Sequence, residues 1–436
     1  MSDNPKHVAI IGGGYAGMAA AVTLAEQRVP VTVYEAGPTL GGRARRVEIN
    51  GVTLDNGLHI LIGAYRETLR LIAQVHQSPA NALLRLPFDW RQHQHLHLRA
   101  PALPAPLHLL TALLTAKGAN WRERWVAIRM MRALRAVNFR LPRDTTVSEL
   151  LKAHAQGPVL TQHLWMPLCV SALNTPPEKA SAQLFLKVLR DGLNAERAGS
   201  DLLIARVDLS ALLPEPAADY VRARGGAVLT GRRVSAVDPV ADGFQITAGG
   251  EPGIFTHVVC ALPPHQVAAF LAGITALSDV MELTQALEYQ PITSVYLQFD
   301  GHVHLPSPMT GLAGSVAHWL FDREVICGQS GLIGAVISAE GPHQELTQEA
   351  LGERVHEALA EQFGPLPTLK WQRVISEKRA TFSATPGLRR PAQKTPLANF
   401  WLAGDYTAGE YPATLEAAVR SGIVCARGIL GESAAL

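Results

Sequence analysis

Residues 7–17 read HVAIIGGGYAG, a short apolar run that passes directly into a glycine-rich turn. A brief apolar run ended by a turn marks a strand buried on both faces, as parallel strands are. The turn Gly12-Gly13-Gly14-Tyr15-Ala16-Gly17 has GxGxxG spacing, Met18 to Gln27 is an alanine-rich helical stretch, and VTVYEA at 31–36 is a second buried strand ending on an acid. Gly12 permits the tight turn, Gly14 lets the backbone approach a pyrophosphate, and Gly17 lets the helix lie close on the strand. The helix N-terminus offers unpaired N–H groups and a positive dipole end. Glu35, 21 residues past Gly14, is spaced to accept hydrogen bonds from adenosine ribose hydroxyls. Glycine turns also occur without ligands, but here strand, turn, helix, strand and acid agree.

Two further stretches favour FAD over NAD. Gly41-Gly42-Arg43 follows the second strand, where glycines admit a close approach to the pyrophosphate and an arginine can neutralise it. Near the other end, FWLAGD at 400–405 is another apolar strand ending in Gly404-Asp405, followed by a loop and a helix from about Ala413 to Leu430. Asp405 is then placed to bond a ribityl hydroxyl, and the helix N-terminus to face the pyrimidine side of the flavin. Ala417, Ala418, Ser421 and Gly422 keep that helix slim, which for any one of them could be packing alone.

Composition narrows the rest. The chain of 436 residues is 47% hydrophobic and 17% charged, which indicates one large or two interwoven globular domains. No run nears the roughly 18 apolar residues that span a bilayer, and the first residues lack a signal-peptide plan, so a cytoplasmic protein is expected. Cys169, Cys260, Cys327 and Cys425 show no paired spacing and read as buried small hydrophobes. Of the net charge of +2, residues 117–143 carry +7, from eight basic residues and Glu123, and the remainder −5. The positive charge is local, without recurring basic and aromatic runs, and nucleic acid is not an expected partner.

GGGYAG, Glu35, GGRA, the strand pair around Arg233 and Val234, and AGDYTAGEYPATLEAAVRSG at 403–422 together resemble the FAD-dependent amine oxidase and phytoene desaturase superfamily. Within it, LDNGLHILIGAY (54–65), LPFDW (86–90), LCVSALNTPPEKASAQLFLKVLRDGL (168–193) and SDLLIARVDLSALLPEP (200–216) resemble the squalene-associated desaturase-like family, the hydroxysqualene dehydroxylases. The resemblance implies an α/β fold, with an FAD-binding Rossmann-like (two-dinucleotide-binding) domain at 1–85, 206–275 and 376–436. Interwoven with it is a mixed α+β substrate domain at 86–205 and 276–375. The implied cofactor-binding set is Gly12, Gly14, Ala16, Gly17, Glu35, Gly42, Arg43, Gly57, Val234, Gly404, Asp405 and Leu415.

Between the motifs, short β-rich runs at 220–262 should return to the FAD domain, with Val234 backbone at the adenine as the superfamily implies. Pro291–Phe299, Leu312–Phe321 and Leu332–Ala339 read as three long floor strands of the substrate domain, and Leu107 to Leu193 as its helical roof. Thr175-Pro176-Pro177-Glu178 has capping-box form and predicts a helix from there to about Leu193. Few placed charges and many apolar residues suit a long apolar ligand, although any one of them alone reads better as ordinary core. Residues 102–143 join the apolar, proline-broken 102–116 to the arginine-rich stretch from Trp121 to Arg135. This is the plan of a monotopic protein on an anionic membrane, here the inner face of the cytoplasmic membrane; the alternative is a solvated helix face beside a buried hairpin. His93, His95 and His97 alternate as on one strand face; a surface strand or pocket wall is a simpler reading than a metal site, and none is assigned.

The family resemblance implies reductive dehydroxylation of hydroxysqualene to squalene, a step toward hopanoids, with hydride from reduced FAD. An acid is needed, and His59, Glu410 and Tyr411 are the ionisable catalytic candidates by motif position; His59 reads equally as a structural histidine. Gly328, Gly331 and Gly334 have the wrong spacing for a second dinucleotide fingerprint, so an external electron donor is expected. The alternatives are a carotenoid-type desaturase, running hydride transfer the other way, and a non-redox prenyl-lipid escort protein, for which an intact Glu35, Arg43 and Asp405 would be unnecessary.

Overall fold

The strand His7-to-Ile11 reading sets the centre of the molecule. In the computed structural model, which describes residues 5–194 and 196–433, Val8–Ile11 is the middle of a five-stranded parallel sheet. Val31–Tyr34 and then Ala227–Leu229 flank it on one side, and His257–Cys260 and then Phe400–Leu402 on the other. All four residues of the central strand are buried, as helices or other structure on both faces of a parallel sheet require. The first helix, Tyr15–Glu26, lies against the last, Leu415–Leu430. A Cβ on Gly422 would fall 2.1 Å from the carbonyl oxygen of Ala16, so the small residues there set how closely the helices meet. The β-rich stretch divides: its ends join the parallel sheet, while Val234–Val240, Gly243–Ala248 and Glu251–Phe255 form a separate antiparallel sheet.

A seven-stranded sheet carries the rest, in the order Leu369–Phe382, Tyr289–Phe299, Leu332–Ser338, Trp319–Asp322, Met309–Gly311, Asp89–Gln92, Leu96–Arg99. Pleating alternates its side chains. Val295, Leu297, Ile333, Ala335 and Ile337 pack in one cluster with Leu351, Val355 and Leu359 of the helix Gln348–Phe363, while Ile292, Trp319, Phe321, Val336 and Ser338 face a large cavity. The expected boundary at 375/376 falls inside Leu369–Phe382, which pairs with Tyr289–Phe299 from Leu369 to Phe382. Ile60–Ile62 and Leu83–Leu86 both pair with Leu202–Ala205 in a three-stranded sheet.

Three sequence expectations are corrected. The stretch 312–321 is not one strand: 312–318 form the turn of a hairpin between Met309–Gly311 and Trp319–Asp322, with Gly314 at φ +71° within it, and 319–321 belong to the second strand. Thr175 caps no helix. Asn174, at φ +46°, ends the preceding helix, and the Thr175 hydroxyl donates to Leu173 O at 2.9 Å and accepts from Ala384 N at 3.0 Å. The helix starts instead at Ala182, with Ser181 Oγ accepting from Leu184 N at 3.1 Å. The three histidines do not share a strand face, because Gln94 at φ +60° turns the chain between Asp89–Gln92 and Leu96–Arg99. Cys169, Cys260 and Cys425 are buried as expected, and Cys327 is half-buried.

Candidate active site

A cavity of about 1280 Å³ runs from the glycine-rich turn to the floor of the seven-stranded sheet. At one end two glycine turns meet backbone to backbone: Gly41 N donates to Gly13 O at 2.9 Å, and a Cβ on Gly42 would lie 3.4 Å from Gly14 Cα. Gly12, Gly41 and Gly42 have φ of +112°, +118° and +63°, a region that L side chains avoid. The first helical bond, Met18 N to Gly14 O, leaves the amides of Tyr15, Ala16 and Gly17 without intrahelical partners, and Gly14 has no side chain to cap them. An uncapped helix end over a side-chain-free cradle fits the diphosphate of FAD.

Glu35 lines the same end. Its two carboxylate oxygens accept from Gly13 N at 2.9 Å and Gly37 N at 2.7 Å, which fixes the carboxylate beside the turn and leaves lone pairs for ribose hydroxyls. Ala16, Gly57, Val234, Gly404, Asp405 and Leu415 line the cavity too. Gly17 does not: a Cβ there would sit 2.0 Å from Gly12 O, so its role is the close approach of helix to strand. Asp405 is buried, and Arg43 is committed to it, with Nη2 donating to Oδ1 at 2.5 Å and Nη1 to Ala380 O at 2.6 Å. The guanidinium neutralises this carboxylate instead of standing free for the pyrophosphate, because a buried carboxylate needs a counter-charge.

The other end is apolar, with Leu58, Phe270, Ile292, Trp319, Phe321 and Val336 interrupted by Ser171, Asn174, Ser338 and Thr381. Trp319 Nε1 donates to Ser171 Oγ at 2.8 Å. His59 lies between the two ends. Its Nδ1 is 2.9 Å from Gly57 O and donates to that carbonyl, so Nε2 carries the lone pair. Burial pushes its pKa below the ordinary histidine value, and the Arg43 charge adds to that. In this neutral state His59 Nε2 accepts a hydrogen bond and carries no proton to give.

The other two candidate acids lie outside the cavity. Glu410 is exposed, with Lys187 Nζ at 2.5 Å and Arg190 Nη2 at 3.4 Å; the bond from Lys187 holds its carboxyl below the usual range, in the anionic form. Tyr411 donates its hydroxyl proton to Asp191 at 2.7 Å, and burial, with that bond, raises its pKa. Motif position, five or six residues after Asp405, placed them at the flavin; the chain there turns outward to cations on a distant helix. Two residues went unnoticed in the sequence. Tyr406 lines the cavity with a buried hydroxyl lacking any hydrogen-bond partner among the described residues. Glu416, fully buried, accepts from Thr68 N and Oγ1 at 2.9 and 2.8 Å and from Glu67 N at 3.2 Å, tying the last helix to Arg66–Val75. Both lie within the stretch 403–422, but the contacts that mark them out are made with residues far away in the chain or with none, which local spacing does not reveal.

Residues 15–430 match the flavin-containing amine oxidoreductases, and the chain belongs to that family. It is 32% identical over 448 residues to the hydroxysqualene dehydroxylase of Rhodopseudomonas palustris, covering 96% of each chain. It is also 26% identical to the zeta-carotene desaturase of Synechocystis, covering 98% of each. An oxidoreductase from Methanosarcina mazei shares the fold, with a TM-score of 0.73 at 15% identity over 98% of this chain and 100% of that one. The protein is an FAD-dependent oxidoreductase, which sets aside a non-redox escort role.

Proposed function

We propose that the protein converts hydroxysqualene to squalene by reductive dehydroxylation. The observation that carries this reading is one continuous cavity joining a diphosphate-and-ribose cradle to an end walled by Leu58, Phe270, Ile292, Trp319, Phe321 and Val336. Resemblance to hydroxysqualene dehydroxylases over nearly the full length supports it. Gly12, Gly14, Gly42, Glu35 and Asp405 would hold FAD, which when bound in its reduced form supplies hydride. In the cavity the substrate's allylic C–O bond breaks, its oxygen takes a proton that originates in solvent and leaves as water, and a C–H bond made with the donated hydride replaces it. His59 Nε2, left with its lone pair by the Nδ1 bond to Gly57 O, would accept the substrate hydroxyl's hydrogen bond and so orient it. Trp319 and Phe321 give the emerging allylic cation aromatic faces while excluding water. Electrons would reach the flavin from an external donor; among the described residues Gly328 ends a short helix and Gly334 lies within a strand, so neither shapes a second dinucleotide turn.

The relation to zeta-carotene desaturases favours a second reading, hydride removal from an apolar C–H by oxidised FAD. Chemically reduced enzyme incubated with hydroxysqualene should yield squalene, while oxidised enzyme should leave phytoene unchanged. Dehydrogenation of phytoene without squalene formation would establish the desaturase.

The substrate's insolubility requires a source, and we place the enzyme on the inner surface of the cytoplasmic membrane. Among the described residues no helix is long and apolar enough to cross a bilayer. Support comes from a face on which Leu103, Leu107, Leu110 and Leu114 are 36–50% exposed and Trp121 and Trp125 are 70% and 55% exposed. Arg122, Arg129 and Arg132 are exposed on the helix Trp121–Ala136, which carries both tryptophans. Apolar side chains beside cations suit an anionic bilayer. Wild-type protein should co-sediment with anionic liposomes at low salt; failure to do so refutes this placement.

A further inference from the structure

The alternating histidines of 93–97 are not absorbed by the flavin site. At the hairpin between Asp89–Gln92 and Leu96–Arg99 they line a surface recess of about 300 Å³ with Arg91 and Lys117, and no Asp or Glu lines it. Its cations are poorly matched within the protein. His97 Nε2 lies 2.8 Å from Asp89 Oδ1 and donates to it, so it cannot also accept from Arg91 Nη2 at 3.3 Å. Arg91 Nε is buried with no hydrogen-bond partner among the described residues. A buried guanidinium N–H without an acceptor costs stability unless something fills the place. Three imidazoles alone suggest a metal, but among the described residues no group of metal-ligating side chains is assembled. The recess gathers the Arg91 guanidinium and the Lys117 ammonium with no carboxylate in its lining, and that charge calls for an anion.

The recess is joined to the apolar face described above. Lys117 pairs with His97 through both backbone bonds, N to O at 2.9 Å and N to O at 3.0 Å. It stands three residues after exposed Leu114 and four before exposed Trp121. The linking loop is closed by Arg124, whose guanidinium donates to Leu114 O at 2.6 Å and to Ala119 O at 2.7 and 3.0 Å. A cationic recess is thereby fixed between side chains suited to the acyl region of a bilayer.

We propose that this recess binds the phosphate of an anionic phospholipid headgroup and so sets where the protein sits on the membrane. The proposal rests on the membrane placement above. An oxygen-rich phosphate accepts from a guanidinium, an ammonium and imidazole N–H groups at once, where a single carboxylate fills fewer of them.

The test compares vesicles of equal surface potential, one set made anionic by phosphatidylglycerol and the other by a fatty-acid carboxylate, in flotation assays with flavin-loaded protein. Wild type should prefer the phosphatidylglycerol vesicles, by roughly tenfold. Arg91→Gln with Lys117→Gln, or Lys117→Gln alone if the double variant fails to retain flavin, should remove or reduce that preference. Arg129→Gln with Arg132→Gln should weaken binding to both vesicles and keep it. Binding without preference in the wild type, or a preference that survives both recess variants, overturns the recess and leaves the membrane placement standing. Binding to neither vesicle overturns both. Inorganic phosphate provides the third arm: if it shifts the histidine resonances while vesicles show no phosphate preference, the site takes a soluble phosphate and the lipid assignment fails.

Discussion

At the scale of single residues, Glu35 and His318 give the sharpest expectations. Glu35→Ala should weaken FAD affinity by roughly tenfold to a hundredfold, the cost of losing charge-assisted bonds to two hydroxyls. The protein should remain folded, since Gly13 N and Gly37 N lose an acceptor at a partly exposed strand end. Flavin titration decides, and wild-type affinity would remove Glu35 from the site. Glu410→Gln and Tyr411→Phe should change turnover by less than about twofold, because neither side chain reaches the cavity; a large loss would restore them as acids. His318 Nδ1 accepts from Ser338 N at 3.1 Å, and burial lowers its pKa to about 4. Its folded pKa lies below the unfolded value of 6.5, so the unfolded chain binds the extra proton first as pH falls. The resulting stability is present above pH 6.5 and is lost toward pH 4, by about 3 kcal/mol. Asp55, raised by burial to about 6, acts in the opposite sense over part of that window. Comparing urea unfolding of wild type and His318→Asn across pH isolates the histidine: the amide oxygen can accept the same bond but does not titrate, so the variant should lose less stability on acidification. Glu35 was legible because strand, turn and acid lie within one short segment. The failure at Glu410 has the converse cause, since its partners Lys187 and Arg190 are more than 200 residues away.

At the scale of elements, Glu416 shows how the last helix is held over the cavity. Glu416→Ala strands the Thr68 hydroxyl and two amides at the start of Arg66–Val75 and should cost about 3 kcal/mol, read as a lower denaturation midpoint. Glu416→Gln, which keeps an acceptor, should cost less; equal losses would argue against the hydrogen bonds. The elements that periodicity could reveal were found in the sequence, among them Val8–Ile11, the alanine-rich first helix and the floor strands Tyr289–Phe299 and Leu332–Ser338. The elements misread were decided by contacts across the chain. Thr175 has every local feature of a cap, but its hydroxyl is taken by Ala384 N, and Ser181, without the capping-box partner, starts the helix. A single positive φ at Gln94 likewise turns an apparent strand into a hairpin and creates the cationic recess.

At the scale of the molecule, the cavity is assembled from the first glycine turn, the segment 56–60, the helix Met166–Leu173, the floor strands and the AGDY stretch. Sequence motifs singled out the end proposed to hold the flavin, whose glycines and carboxylates are few and fixed in spacing. Its substrate end is ordinary apolar core until the sheet and helices enclose it, so no residue there could be singled out. Helix Leu107–Leu114 sits one layer from that cavity: buried His108 Nε2 is 3.1 Å from Ser200 Oγ, next to Gly199, whose carbonyl accepts from Ala64 N beside cavity-lining Tyr65. If substrate arrives through this face, Trp121→Ser with Trp125→Ser should reduce turnover on liposome-borne substrate several-fold while leaving detergent-solubilised turnover unchanged; equal loss in both would point to a folding defect. The direction of the chemistry is the central claim, and an anaerobic single turnover tests it most directly. Flavin-reduced enzyme mixed with hydroxysqualene should regain the oxidised flavin spectrum and form one equivalent of squalene per flavin oxidised. A flavin that stays reduced, with hydroxysqualene recovered intact, would contradict the account.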